Sequence, residues 1–200
     1  MKRPRYFLIL ILLVIFAGCV PAGSLPYLTS VGDASESGKG DFIELKGGAI
    51  IEGEISKEKL NLGSSKLFNS TGSVVMNGTK YGFTEVVAIQ KGNKYYRKDA
   101  YNAFDERIVK GRINGYRSEH VGAGTNAQGM TGYSHHFLYY LQKGDKAPVV
   151  AYELKILRKM IQDYQPAVDE YEKFNALSKK QKRLRGDMML DNIIYLYNKR

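Results

Sequence analysis

Cysteine, tryptophan and histidine are scarce in this chain of 200 residues, which has one cysteine, no tryptophan and three histidines. A single cysteine excludes an internal disulfide, so the fold has to be stabilised by its hydrophobic core. A metal site needs several converging ligands, and the histidines are His120, His135 and His136. Because adjacent residues on a strand point to opposite faces, His135 and His136 should not bind one ion together. We therefore predict no metal site.

The chain also lacks an apolar run long enough to span a bilayer. Its longest such run, from Phe7 to Ala17, has 11 residues, about half of the roughly 20 that a transmembrane helix needs. Basic residues precede the run, which ends in the small-residue pair Ala17-Gly18. This arrangement is typical of a secretory signal, so we predict that residues 1–18 are a signal peptide that is removed.

The only cysteine, Cys19, comes directly after the predicted signal peptide. The segment Phe16-Ala17-Gly18-Cys19 resembles the bacterial lipobox, in which the cysteine is acylated, for example with palmitate, and becomes the mature N-terminus. Phe16 stands where that motif usually has leucine. The resemblance implies a bacterial lipoprotein of the cell envelope, expected at the periplasmic side of the outer membrane, because several acyl chains anchor a protein stably.

The chain is strongly basic, with 30 Lys and Arg against 20 Asp and Glu. Removal of residues 1–18 takes away three basic residues and no acidic one, which leaves a net charge of +7. At an envelope membrane, such a surface would meet lipid head groups, acidic envelope glycans or another envelope protein. We expect these partners rather than nucleic acid.

Composition divides the expected mature chain into a flexible tether, residues 19–40, and a single α+β domain, residues 41–200. The tether is rich in Gly, Ser and Ala and lacks an apolar period. From 41 to 143 the chain alternates β-prone runs with Gly-containing turns, which predicts an antiparallel meander, a small barrel or a sandwich. The expected hairpins turn at Gly47-Gly48, Asn77-Gly78 and Lys91-Gly92-Asn93. Longer strands are expected over 106–116 and 133–142, with the glycine-rich residues 122–129 connecting them.

Residues 149–198 should be helical. Five apolar residues recur at spacings of three and four, which places them on one stripe of a helix: Val150, Leu154, Leu157, Ile161 and Tyr164. Pro166 should open a second helix, which has Ala167, Tyr171 and Phe174 on its apolar side. Asp187 is predicted to cap a last helix that carries Leu190, Ile193, Ile194 and Tyr197.

Two local motifs of catalytic or nucleotide-binding sites are missing. The chain has no G-x-S-x-G motif, and the glycine-rich stretch has neither the helix nor the Lys-Ser/Thr of a phosphate-binding loop. We predict no catalytic or cofactor-binding residues and no cofactor. Two sets of side chains are candidates for a binding surface, because exposed rings and cations anchor many interfaces. They are the tyrosine pairs Tyr95-Tyr96 and Tyr139-Tyr140, each with one ring expected in the core and one exposed, and the cations Lys179, Lys180, Lys182, Arg183 and Arg185.

Three segments carry a further resemblance. Residues 43–53, 107–114 and 139–144 look like strand and turn patterns of uncharacterised envelope proteins of Bacteroidetes. That resemblance implies no activity and no site residues. We therefore expect a membrane-anchored envelope lipoprotein that is more a binding or scaffolding component than an enzyme. The alternative is an envelope hydrolase that acts on glycan or lipid through a site assembled from distant residues.

Overall fold

The protein is an α+β domain, as the sequence predicted. The computed structural model describes residues 35–36, 39–56, 72–100, 102–125 and 131–200, with only the backbone for residues 120–125 and 131–136. It contains an eight-stranded sheet, a two-stranded sheet and C-terminal helices. The strands are β1 Phe42–Leu45, β2 Ile50–Glu52, β3 Ser73–Met76, β4 Thr79–Gly82, β5 Val86–Lys91, β6 Lys94–Lys98, β7 Phe104–Val109, β8 Ile113–Thr125, β9 Thr131–Lys143 and β10 Val150–Ala151.

The large sheet is antiparallel and has the order β10-β9-β8-β7-β6-β5-β1-β2. From β5 to β10 every strand pairs with the next one in the chain, so this part is a meander. The strands β3 and β4 form the second sheet. Of the three arrangements that the sequence left open, the described strands form the meander, with β2 and β10 at its two edges.

The Asn77-Gly78 hairpin between β3 and β4 forms as predicted. Both residues have positive φ angles, +50° for Asn77 and +79° for Gly78, which a tight two-residue hairpin turn requires. The Asn77 side chain also accepts a hydrogen bond from the Glu54 N–H at 2.8 Å and donates one to the Glu52 carbonyl at 3.0 Å. The same residue therefore forms the turn and ties the small sheet to the edge of the large one.

The predicted single strand over 106–116 is wrong, because the chain reverses between β7 and β8. At this reversal the Gly111 N–H donates to the Asn114 side chain at 3.0 Å. The Asn198 amide then bonds both the N–H and the carbonyl of Ile113, at 2.8 and 3.0 Å. Asn198 lies 85 residues further along the chain, so its part in the break leaves no local pattern in the sequence. A second correction concerns residues 122–125, which continue β8 instead of belonging to a loop.

Three helices follow β10: α1 Leu154–Met160, α2 Gln165–Asn175 and α3 Lys179–Asn198. Val150 does not belong to the first helix as predicted, because it pairs with Leu141 across β9 and β10. Pro166 lies in the first turn of α2, in agreement with the prediction. Among the described residues, none of the helices has the length and apolar composition needed to span a membrane.

Asp187 does not cap a helix, since α3 begins eight residues earlier and runs through it. The N-cap is Ser178, whose hydroxyl accepts a hydrogen bond from the Gln181 N–H while the Gln181 side chain accepts one from the Ser178 N–H. This reciprocal pair is a capping box, and it satisfies two of the backbone donors that a helix start leaves open.

The large sheet has two distinct faces, which its register defines. One row across neighbouring strands contains Ile43, Ile89, Tyr96, Glu106, Arg117 and Tyr139. The helices cover one end of this face, named here the helix face, and the β3-β4 sheet covers the other end. The opposite face, named here the reverse face, carries Tyr95, Arg107, Tyr116 and Tyr140.

The main core lies between the helix face and the helices. Leu157 and Ile161 are fully buried there, as the predicted stripe required, while Leu154 and Tyr164 pack at its margin. The predicted apolar sides of α2 and α3 are buried in the same core: Ala167, Tyr171, Phe174, Leu190, Ile193, Ile194 and Tyr197. These helices are therefore a packing layer on the sheet.

Candidate functional site

The four candidate tyrosines are divided between the two faces of the sheet. Tyr95 and Tyr140 lie on the reverse face, and Tyr96 and Tyr139 lie on the helix face. Tyr95 is buried and Tyr96 half-buried. The expectation that one ring of the second pair is exposed is wrong, because Tyr139 and Tyr140 are only 9% and 7% exposed. Both faces are covered at this point, so the tyrosines do not form one exposed binding surface.

The five candidate cations occupy the first two turns of α3. Lys179, Lys180, Arg183 and Arg185 are exposed, and Lys182 is half-buried with its Nζ 5.5 Å from the centre of the Phe174 ring. The first turn of the helix contains no acidic residue. Among the described residues, no carboxylate forms an ion pair with any of the five.

This arrangement of cations is electrostatically unfavourable in the free protein. The N-terminus of a helix carries the positive end of the helix dipole, which favours anions and disfavours cations. Residues three or four positions apart on a helix are neighbours, and like charges at that spacing repel each other. Lys179 is such a neighbour of Lys182 and Arg183, and Lys182 of Arg185. An anionic partner would relieve both effects.

A second feature of α3 was not predicted, namely an apolar row on its outer side. Leu184 and Met188 are both 70% exposed, and Tyr195 is 40% exposed. Their spacings of four and seven residues place them on one side of the helix, away from the buried Leu190 and Ile193. Next to Met188 and Tyr195 lies an open groove of about 470 Å³. The helix therefore has an apolar row on each of two opposite sides.

The sequence did contain the signal for this outer row. Ser178-Lys179-Lys180-Gln181 is a capping-box pattern, which places the helix start before the basic run instead of after it. With that start, Leu184 falls on the same helix as Met188 and Tyr195, and their common side follows from the helical period.

The reverse face contains a partly buried ion pair with the segment that precedes β1. The Arg107 guanidinium, whose side chain is 2% exposed, donates to Glu36 Oε1 at 2.7 Å, and Lys110 Nζ lies 3.0 Å from Glu36 Oε2. Burial raises the pKa of Glu36, whereas its hydrogen bonds to Arg107 and Lys110, together with their charges, lower it by a larger amount. The pKa of Glu36 therefore lies below its ordinary value. Ser35 is itself buried. Residues 35 and 36 therefore pack against the sheet.

Lys110 connects this segment with the C-terminal half of α3. Its Nζ also donates to the Ser35 carbonyl at 3.1 Å. The same residue lines a cavity of about 110 Å³ together with Tyr195 and Lys199. The point at which the N-terminal segment joins the domain is therefore next to the outer side of α3.

Asp105 is a fully buried carboxylate on the reverse face. Neither of its oxygens makes a well-formed hydrogen bond within the described part of the chain. Burial raises the pKa of Asp105 to about 7, the nearby Asp99 charge acts in the same direction, and the Ser118 hydroxyl opposes the shift. The group is consequently close to half protonated at neutral pH.

The histidines lie on the two long strands. His135 and His136 are consecutive in β9, and the register places His120 of β8 opposite His136 and Val121 opposite His135. Among the residues whose side chains are described, no group of three or more His, Cys, Asp or Glu could hold a metal ion. Cys19, the signal peptide and most of the tether lie outside the described residues.

Comparison of the chain with protein-family models, with curated proteins and with solved structures finds no match.

Proposed function

We propose that this chain is a bacterial lipoprotein, anchored through Cys19 at the periplasmic side of the outer membrane, and that its domain is a non-enzymatic binding or scaffolding component. The anchor is supported by the sequence. Its only cysteine follows a basic stretch, a short apolar run and two small residues. Acylation of Cys19 explains both why the chain has a cysteine at this position and why it has no other.

The observation that carries the binding role is the outer side of α3. Three exposed apolar side chains lie on one side of that helix, and five cations occupy its first two turns. Neither feature stabilises the free domain, because exposed apolar groups gain nothing from packing and the cations lie at the unfavourable end of the helix dipole. A surface that combines both suits an anionic, partly apolar partner. Lipid head groups, acidic envelope glycans or another envelope protein have this chemistry, and nucleic acid is not expected.

The anchor is tested by metabolic labelling with an alkyne analogue of palmitate, followed by separation of membrane and soluble fractions. The Cys19→Ala variant should lose the label and leave the outer-membrane fraction, because no other thiol remains in the chain. Ser24→Ala, a few residues away, is the matched control and should be labelled like the wild type. Undiminished labelling of Cys19→Ala would refute the lipoprotein assignment.

One observation favours the second candidate, a hydrolase that acts on envelope glycan or lipid. Ser118 and His120 are two residues apart on β8, and the Asp105 carboxylate is close to the Ser118 hydroxyl. Serine, histidine and aspartate are the residues of a nucleophilic triad, although in such a triad the carboxylate orients the histidine. A fluorophosphonate probe should label the wild type and not Ser118→Ala if this candidate is correct. Absence of labelling in the wild type would reject it.

A further inference from the structure

We propose that the outer side of α3 lies on an anionic membrane surface, with Leu184, Met188 and Tyr195 in contact with lipid. This inference deepens the proposed function, since the membrane in question is the one into which Cys19 would be inserted. The named partner is the lipid bilayer, whose anionic head groups and apolar interior match the two kinds of side chain on this surface.

The residues of the outer side follow an order that suits a bilayer. Lys180 lies one turn before Leu184, which lies one turn before Met188, and Lys199 lies one turn after Tyr195. The apolar row thus has a cation at each end, and one carboxylate, Asp191, lies between Met188 and Tyr195 beside the same groove. Lysine side chains can place their methylene groups along an apolar surface and their ammonium groups at the head groups. The Lys199 Nζ already lies 4.4 Å from the centre of the Tyr195 ring.

The charge of the first two turns of α3 supports an anionic surface. Residues 179–186 contain five cations and no acidic residue. Their repulsion at the positive end of the helix dipole is reduced when negative charge is next to them. Each Lys or Arg near an anionic membrane contributes about 1 kcal/mol, equivalent to roughly a fivefold gain in affinity.

The position of the N-terminal segment supports contact between α3 and the same membrane into which Cys19 would be inserted. Lys110 bonds Ser35 and Glu36 and lines the same cavity as Tyr195 and Lys199. From Cys19 to Ser35 the chain advances 16 residues, which can span up to about 55 Å when extended. This reach exceeds the roughly 10 Å diameter of a helix several times over. A chain that starts at an acylated Cys19 can therefore enter the domain while α3 lies on the same bilayer.

A second copy of the chain fits the outer side less well. In a parallel pairing of two α3 helices, the cations of residues 179–185 would face their own equivalents. In an antiparallel pairing, Lys180 of one copy would approach Lys199 of the other. Either pairing brings like charges together, which is unfavourable.

The absence of tryptophan allows a direct test. The full-length Met188→Trp variant places one indole on the outer side of α3, and Ile50→Trp is the matched control on β2, where Ile50 is 46% exposed. Each protein is mixed with phosphatidylglycerol vesicles that contain brominated acyl chains, or with phosphatidylcholine vesicles of the same kind. The Met188→Trp emission should shift to shorter wavelength and be quenched on phosphatidylglycerol, whereas the Ile50→Trp emission should stay that of an indole in water. Water-like, unquenched emission of Met188→Trp on phosphatidylglycerol would overturn the proposal.

A charge variant tests the head-group contacts. In the Met188→Trp background, the double change Lys180→Gln and Arg185→Gln should weaken binding to phosphatidylglycerol vesicles on the order of twentyfold, at fivefold per cation. The control pair Lys46→Gln and Lys80→Gln removes two exposed cations of the β-rich region and should leave binding unchanged. Equal losses in the two pairs would show that only the net charge matters, and would contradict a role of α3.

Two further arms separate this proposal from its alternatives. With Cys19→Ala added, the Met188→Trp indole should still be quenched on phosphatidylglycerol, because the contact of α3 does not need the acyl chains. Failure of the anchor would thus appear in labelling and fractionation, and failure of the docking face in the emission. If an acidic polysaccharide binds the wild type tightly, while the indole stays unquenched on vesicles, the surface is a glycan site and the membrane proposal is wrong.

Discussion

The two faces of the large sheet are both covered, but by different kinds of chain. On the helix face, α1 to α3 and the β3-β4 sheet pack apolar side chains against the strands. On the reverse face, two irregular segments lie over the strands and are held through polar groups. The buried Gln90 amide donates to the carbonyls of Lys39 and Gly40 at 3.0 and 3.2 Å. The buried Gln142 amide donates to those of Asp145 and Ala147 at 3.1 and 2.7 Å.

This difference shows how the fold accommodates irregular backbone next to a sheet. An irregular segment has backbone groups that no neighbouring strand satisfies, and leaving them buried and unpaired is costly. A glutamine side chain can donate twice and accept at the same time, so one residue can satisfy several of these groups. Gln90 and Gln142 do so at opposite ends of the reverse face. The reverse face also has a buried apolar cluster, which consists of Phe42, Ala88, Tyr95, Tyr116, Tyr140 and Val149. Stability on this face should therefore depend on polar contacts in addition to apolar packing, and on the helix face mainly on apolar volume.

The largest expected effect is on the helix face. Leu157 is fully buried, so Leu157→Ala should lower the free energy of unfolding by about 2 to 5 kcal/mol. Leu157→Lys should be worse, because it places an unpaired charge in the core. Urea unfolding followed by circular dichroism measures both, and Lys159→Ala, an exposed change on the same helix, is the control. Wild-type unfolding of both Leu157 variants would show that α1 does not pack on the sheet.

On the reverse face, Asp105 should make stability depend on pH. Its pKa is about 7 in the folded protein and 3.8 in a free side chain. As the pH rises from about 4 to about 7, the unfolded state loses this proton while the folded state keeps it, so stability falls over that range. Asparagine does not titrate, so Asp105→Asn removes this pH-dependent fall in stability. The variant should be more stable than the wild type by up to about 4 kcal/mol at neutral pH, and by little at pH 4. A gain that is equal at both pH values, or present in the exposed control Asp169→Asn, would contradict the assignment.

A smaller effect is expected at the partly buried ion pair between Arg107 and Glu36. Glu36→Gln removes the negative charge next to Arg107 and should lower the free energy of unfolding by about 2 kcal/mol, since hydrogen bonds to charged groups are stronger than neutral ones. The change should also increase hydrogen exchange at the Glu36 N–H, which donates to Gln90 at 2.7 Å. Glu52→Gln, an exposed change on β2, is the control. If Glu36→Gln and Glu52→Gln unfold alike, the segment contributes no stability to the reverse face.

The smallest effect is at the start of α3. Ser178→Ala removes the side-chain cap and should cost about 1 kcal/mol. Asp187→Ala, at the position that the sequence alone suggested as the cap, should cost less than half of that. Thermal unfolding of the two variants side by side makes the comparison. A larger loss at Asp187 than at Ser178 would mean that the helix starts at the later position.

The sequence predicted features that depend on neighbouring residues and missed contacts between distant ones. The apolar stripe of Leu157 and Ile161 could be predicted because the buried positions of a helix recur every three or four residues. The Asn77-Gly78 turn was readable because its backbone angles need those residues. By contrast, the break between β7 and β8 depends on Asn198, and the contacts of Gln90 join residues about 50 positions apart. Such long-range polar contacts leave no period in the sequence.

The sequence predicted only part of the candidate binding surface. The cations of residues 179–185 were visible as a charge run, and they do lie at the surface. The tyrosine pairs were misjudged because strand alternation gives two faces without telling whether another segment covers them. The apolar row of Leu184, Met188 and Tyr195 was not predicted, because the predicted helix begins at Asp187. Leu184 then falls outside the helix that contains Met188 and Tyr195.

The two sides of α3 allow the most direct test of the central claim, that this helix uses one apolar row for the core and the other for the membrane. Leu190 is fully buried and Leu184 is 70% exposed. We therefore compare Leu190→Ala and Leu184→Ala in both urea unfolding and binding to phosphatidylglycerol vesicles. Leu190→Ala should lose about 2 to 5 kcal/mol of stability, whereas Leu184→Ala should stay within about 0.5 kcal/mol of the wild type and bind vesicles several-fold more weakly. Wild-type vesicle binding by Leu184→Ala, or a loss of stability as large as that of Leu190→Ala, would contradict the claim.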